Sequence, residues 1–205
     1  MLKTLTFSAA AAFLLILTAC HKHNDGNGNG SSSLIGTWNF GYIKLNAQES
    51  LEEVGLGQDI KQVVFAKFTT TQNTGTVTFT PDSLQSNGVG FTYAYNSVAY
   101  QYNNGILSPD STVTPVNLSN PPTTSSSKYQ LIGKDSIYFP GGGLIPDLGT
   151  LGGGAAVTPA SGGHYVIAGD SLTITSIVNQ VSTQSAGPVV ETQTLAGTAI
   201  IVMKK

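Results

Sequence analysis

The chain contains no arginine, one cysteine (Cys20), one tryptophan (Trp38) and two methionines in 205 residues. Without arginine, and with charged residues at only 10% and a net charge of −2, it has no cationic surface of the kind that holds nucleic acid. One cysteine allows no internal disulfide, even in an oxidising compartment. No uncharged apolar run reaches the roughly 20 residues that a membrane-spanning helix needs. The patterns that announce a reaction are also missing: no Gly-x-Ser-x-Gly elbow, no glycine loop ending in Gly-Lys-Ser or Gly-Lys-Thr, no His-Glu-x-x-His. The expectation is a protein that is not an enzyme and carries no cofactor and no metal.

The informative sequence begins at Met1. Met1-Leu2-Lys3 carries one positive charge, and residues 5–17 follow without any. That length is too short to span a bilayer but fits the apolar core of an export signal. Leu17-Thr18-Ala19-Cys20 then resembles a lipobox, the recognition site of bacterial lipoprotein processing. The resemblance implies cleavage before Cys20, a diacylglycerol on its thiol and a further acyl chain, palmitate for instance, on the freed amine. Two or more chains anchor stably where one does not. By resemblance to known sorting behaviour, His21 rather than Asp after the cysteine places the anchor in the outer membrane of a Gram-negative bacterium. Residues 21–33, His-Lys-His-Asn-Asp-Gly-Asn-Gly-Asn-Gly-Ser-Ser-Ser, contain no apolar side chain. They read as a flexible tether. His21 and His23 alone make a poor metal site.

The expected organisation is therefore a signal peptide at 1–19, lipidated Cys20 with its linker at 20–33, and a β domain at 34–205. The part after residue 19 holds eight Lys against eleven Asp and Glu and is rich in Thr, Ser, Gly and Asn. That composition suits an all-β fold, since Thr and Val fit pleated surfaces and Gly fits turns. Period-two alternation supports it. Leu34-Ile35-Gly36-Thr37-Trp38-Asn39-Phe40 reads as a first strand. Val77 and Phe79, then Phe91, Tyr93 and Tyr95, then Tyr100 and Tyr102 follow. Tyr129 and Leu131 lead to Ile137 and Phe139, Tyr165 and Ile167 lead to Leu172 and Ile174, and residues 192–203 are strand-like throughout.

An internal echo links some of these. Pro81-Asp82-Ser83-Leu84, Gly133-Lys134-Asp135-Ser136-Ile137 and Gly169-Asp170-Ser171-Leu172 each place turn chemistry before a new strand, as in a meander of antiparallel hairpins. Helix signals are sparse: Ser50-Leu51-Glu52-Glu53 has capping-box spacing, but Gly55 and Gly57 end any helix within a turn or two. Two long loops are expected, at 107–127 (Ser, Pro, Thr) and at 140–163, where Gly141-Gly142-Gly143 and Gly152-Gly153-Gly154 bracket Leu144-Ile145-Pro146.

Two groups carry reactive side chains. His164 is the only histidine after the tether and would need a serine and an acid beside it to serve a nucleophile. A structural or solvated histidine is the plainer reading. Glu49, Glu52, Glu53 and Asp59 form the densest acidic group. They read as a solvated face rather than a cation site or a pair of working carboxylates.

Gly36-Thr37-Trp38 resembles the Gly-x-Trp signature of lipocalins and other calycins, and the turn echoes and the tail from Leu195 resemble lipocalin-like bacterial lipoproteins. The resemblance implies an antiparallel up-and-down meander closing into a barrel, with Trp38 plugging one end, Gly36 permitting a close approach there, and a cavity at the other end. The family's arginine over the tryptophan and its Thr-Asp-Tyr motif are absent, and Lys204 or Lys205 would have to replace the arginine. A β-sandwich is the alternative fold. Two functions follow. One is a module binding a small apolar or amphipathic ligand, lined by Phe91, Tyr93, Tyr95, Tyr100 and Tyr102. The other is a structural lipoprotein that meets an envelope protein partner through its outer surface or through the loop at 140–163.

Overall fold

The computed structural model describes residues 33–141 and 161–205. The expected signal peptide, Cys20, His21, His23 and the tether as far as residue 32 lie outside the described residues. So do residues 142–160 of the glycine-rich loop.

Eleven strands form from the described chain: β1 (Gly36–Gly55), β2 (Gln58–Thr69), β3 (Thr71–Phe79), β4 (Ser83–Asn103), β5 (Ile106–Leu107), β6 (Thr112–Lys128), β7 (Gln130–Ile132), β8 (Ser136–Phe139), β9 (Ser161–Ala168), β10 (Ser171–Ala186) and β11 (Val189–Lys204). Among the described residues there is no helix. All pairings are antiparallel and belong to one sheet, in the order β2-β4-β3-β1-β11-β10-β9-β8-β7, with β5 and β6 also on β4. Since β2 and β3 are separated only by Thr70 and both pair with β1 and β4, they act as one long pass. The strands β5, β6 and β7 make another.

That second pass brings the sheet back on itself. β6 pairs with β4, and β7, one residue further on, pairs with β8. The fold is thus an all-β antiparallel meander in a single sheet, and a sandwich of two sheets is not what the pairing forms. The ring is completed only at one end, by the short strands β7 and β8. Beyond Ser176, the edge of β10 away from β11 has no strand partner among the described residues, and neither has the second edge of β6.

Alternation explains where the core sits. On β1, Trp38, Phe40, Ile43, Leu45 and Ala47 are buried while Thr37, Asn39, Tyr42, Lys44, Asn46 and Gln48 are exposed. The phase slips by one residue between Phe40 and Tyr42, at a bulge against β11. Leu172 and Ile174 on β10 and Ala199, Ile201 and Met203 on β11 complete the same inner face. Two layers result. At the closed end, Trp38, Val77, Phe79, Leu84, Phe91, Tyr129, Ile137, Phe139, Leu172, Ile174, Ile201 and Met203 pack with Leu34. Above them Leu45, Ala47, Phe68 and Ala199 form a smaller cluster against Tyr93, Tyr95 and Leu195.

The three echoed turns all lie at the closed end, and they share one device. The Asp82 carbonyl accepts from Tyr129 N–H, that of Asp135 from Tyr165 N–H (2.7 Å) and that of Asp170 from Lys205 N–H (2.9 Å). The Tyr129 hydroxyl also donates to the Thr80 carbonyl, and the Tyr165 hydroxyl to that of Lys134. Each turn is therefore tied to the next strand over, not merely closed on itself. At the other end, Leu56-Gly57 and Asn104-Gly105 both take positive φ, the pattern of two-residue hairpin turns whose twist suits the flanking strands.

Three expectations are corrected. The first strand continues past Phe40 to Gly55, because β11 and β2 pair with both of its edges. Ser50-Leu51-Glu52-Glu53 lies in that strand and caps no helix. Most of the expected loop at 107–127 is β6. Its residues are exposed on both faces, so no alternation betrays it; its backbone bonds to β4 and hydroxyl pairs such as Ser86–Ser125 (2.8 Å) hold it. Pro115, Pro121 and Pro122 are tolerated there because an edge strand can spare N–H donors.

Candidate functional site on the inner face of the sheet

Trp38 forms the floor. Its side chain is 0% exposed, its indole N–H donates to the Leu34 carbonyl at 2.9 Å, and the Lys205 ammonium lies 4.7 Å from its ring centroid. A lysine just after β11 thus reaches this tryptophan, where the lipocalin resemblance implies an arginine. Gly36 has φ of 131°, and a Cβ there would meet nothing within 4 Å. Backbone conformation, rather than the close approach implied by the resemblance, is what asks for glycine.

The five aromatic residues expected to line a ligand do not act together. Phe91, Tyr93 and Tyr95 project inward from β4, and Tyr100 and Tyr102 project outward from its far half. Phe91 is buried in the closed-end core, 6.0 Å from Phe40. Tyr93 and Tyr95 stand above it, and Phe68, supplied by β2, joins them. Phe68 stacks on Tyr93 at 4.3 Å and 16°, and Tyr93 on Tyr95 at 6.3 Å and 19°. Phe68 gave no warning in the sequence, since its neighbour Phe65 points to the opposite face. Both tyrosines remain partly exposed although they face inward, so solvent reaches this layer. Leu45, Ala47, Ala199 and Leu195 make up the rest of this cluster.

Glu49 bounds the layer. Its carboxylate accepts from the Gln193 amide at 2.6 Å. Burial pushes the phenols of Tyr93 and Tyr95 above their ordinary value of 10.0, and for Tyr95 the charges of Tyr93 and Glu49 push the same way. The acidic group is divided. Glu49 and Glu53 face inward, whereas Glu52 faces outward and pairs with Lys61 at 3.3 Å. Among the described residues, no group of three or more His, Cys, Asp or Glu could hold a metal ion.

On the outer face, Phe65, Val98, Tyr100, Tyr102 and Leu107 line a cavity of about 470 Å³, with Phe65 edge-on to Tyr100 at 6.0 Å. His164 Nε2 lies 2.8 Å from Asp135 Oδ2, with both side chains more than half exposed. Ser136, in register with His164, bonds to the other oxygen of the same carboxylate at 3.5 Å. The serine hydroxyl thus meets the acid instead of the ring, which is not the order in which an imidazole activates a nucleophile.

No family model matches this chain, and no curated protein does. Among solved structures, Ail, the attachment invasion locus protein of Yersinia pestis, is similar over 82% of this chain and 99% of its own, with 9% identity and a TM-score of 0.18. A likeness that slight carries no argument about function.

Proposed function

We propose that this chain is a lipid-anchored lipoprotein of the bacterial cell envelope, sited in the outer membrane, whose lipocalin-like β domain holds a small apolar or amphipathic ligand. The observation that carries the binding role is the Phe68–Tyr93–Tyr95 cluster: aromatic and inward-facing, with Phe68 buried and the two tyrosines still partly open to solvent above a filled core. The buried Trp38 under Lys205 supports the lipocalin-like reading. The anchor rests on Leu17-Thr18-Ala19-Cys20.

Two measurements test this. Cells fed labelled palmitate should label the wild-type chain and not Cys20→Ser; equal labelling of both would remove the anchor. Native mass spectrometry of gently purified protein, before and after organic extraction, should show a discrete added mass that extraction removes. A bare polypeptide mass that survives incubation with envelope lipid extract would defeat the binding role. A second reading, an interaction lipoprotein that engages an envelope protein, is favoured by the outer-face cavity at Phe65, Tyr100 and Tyr102. In that case a retained protein would depend on Tyr100 and not on Tyr93.

A further inference from the structure

The inner face has a sign. The register places Glu49, Glu53 and Glu191 inward: Glu49 opposite Leu195, and Glu53 directly opposite Glu191. The described lysines lie elsewhere. Lys44, Lys61 and Lys67 alternate onto the outer face of β1 and β2, Lys128 and Lys204 fall on the outer phase of β6 and β11, Lys134 is in a turn, and Lys205 covers Trp38 at the closed end. Among the described residues, the charged groups that an anionic head group would meet above the core are carboxylates. Such a head group would find no cation among them to offset its desolvation.

The aromatic stack lies beside that charge. Glu49 lies opposite Leu195 in the register of β1 and β11, and Leu195 packs on the same small cluster as Tyr93 and Tyr95. Aromatic faces attract cations, quaternary ammonium groups above all, through the ring quadrupole. Phe68 touches both tyrosines, Tyr93 at 4.3 Å and Tyr95 at 5.4 Å, so the three rings form one cluster, and both tyrosines are still partly open to solvent.

We infer that the ligand of this site is a cationic amphiphile. Its ammonium head sits between Glu49 and Tyr95, displacing the Gln193 amide, and its apolar tail lies along Tyr93 toward the edge of Phe68. The inference rests on the binding role proposed above and names the chemical class of the ligand.

The test uses the full chain with Cys20→Ser, purified without detergent, and three probes with the same twelve-carbon tail: dodecyltrimethylammonium, dodecanol and dodecanoate. Each displaces a neutral naphthylamine dye at concentrations below micelle formation. The ammonium probe should bind about tenfold more tightly than dodecanoate. Glu49→Gln should bring the two within about twofold, with dodecanol unchanged, while Glu52→Gln on the outer face should leave the preference intact. Equal or tighter binding of dodecanoate to the wild-type chain overturns the head-group inference and leaves the binding site standing. Displacement by none of the three overturns the site itself, and the inference with it. Retention of the ammonium preference in a folded Glu49→Gln protein assigns the selectivity elsewhere and overturns the role of Glu49.

Discussion

Replacing Trp38 by alanine removes the floor of the closed end, and the structure fixes how much that should cost. The indole is 0% exposed and packs among the side chains of the larger core cluster. Emptying such a site costs about 3–5 kcal/mol, because the surroundings collapse only partly. Within that figure fall the Lys205 contact, about 0.5–1 kcal/mol at an exposed cation, and the bond to the Leu34 carbonyl, about 1 kcal/mol. For a domain of this size, about 4 kcal/mol lowers the melting temperature by roughly 8–16 °C. Tyr93→Ala should cost less, about 1–2 kcal/mol, since its ring is already part-solvated. Urea unfolding followed by circular dichroism measures both, and Trp38→Phe gives a milder variant should the alanine protein not fold. The slope against urea should stay constant, since the surface exposed on unfolding hardly changes. The two-layer reading is refuted if Trp38→Ala lies within about 1 kcal/mol of wild type, or if Tyr93→Ala costs more than Trp38→Ala.

Further outcomes follow from single features. Leu56 is a non-glycine residue at φ 52° with its side chain 81% exposed, so Leu56→Asn should stabilise by about 0.5–1 kcal/mol, read as a raised urea midpoint. Gly75 has φ of 90°, and a Cβ there would run into the backbone of Gly88 and Val89; Gly75→Ala should cost at least about 2 kcal/mol by the same assay. Lys205→Met should cost about 0.5–1 kcal/mol, while Lys204→Met, on the outer face, should be neutral within about 0.5 kcal/mol. Tyr93, Tyr95 and Tyr129 hold their protons more tightly folded than unfolded, so their stabilisation is intact below pH 10.0 and lost as pH rises through their higher folded values. Melting temperature should therefore fall more steeply above about pH 10 in the wild type than in Tyr93→Phe, and parallel curves would contradict the burial of that phenol.

Legibility in the sequence followed the number of faces a segment buries. The strands with one buried face declared themselves: Trp38 and Phe40, Val77 and Phe79, Ile137 and Phe139, Leu172 and Ile174 all appear as alternations and all lie in the closed-end core. The echoed Asp-Ser turns were equally readable, because turn geometry is local. β6 was not, since neither of its faces is buried and its stability comes from backbone pairing that leaves no pattern in residue types. The upper site was half legible. Tyr95 and Tyr100 are five apart, an odd offset, so an unbroken strand must send them to opposite faces. That parity separates Tyr100 and Tyr102 from Phe91, Tyr93 and Tyr95. Phe68 and Glu49 could not be ranked from sequence at all, because what makes them matter is a neighbour on another strand.

The closed end also determines how the site would present itself. Leu34 is buried in the core beneath Trp38, 5% exposed, so the chain preceding it joins the domain at that end. Should Cys20 carry the anchor, residues 20–33 would reach at most about 50 Å from it. The stack of Phe68, Tyr93 and Tyr95 lies above the core, on the side away from Leu34, and Glu53 and Glu191 lie further still from it along β1 and β11. A ligand leaving a membrane would then have to travel past the closed end to enter, unless the domain tips over on its tether. Shortening the tether by deleting residues 24–30 separates these cases. If exchange with the anchoring membrane needs tipping, the deletion slows transfer of a fluorescent amphiphile from vesicles to the anchored protein and leaves transfer from solution unchanged. If both rates persist, the ligand reaches the site through the aqueous phase, and the tether serves only as an attachment.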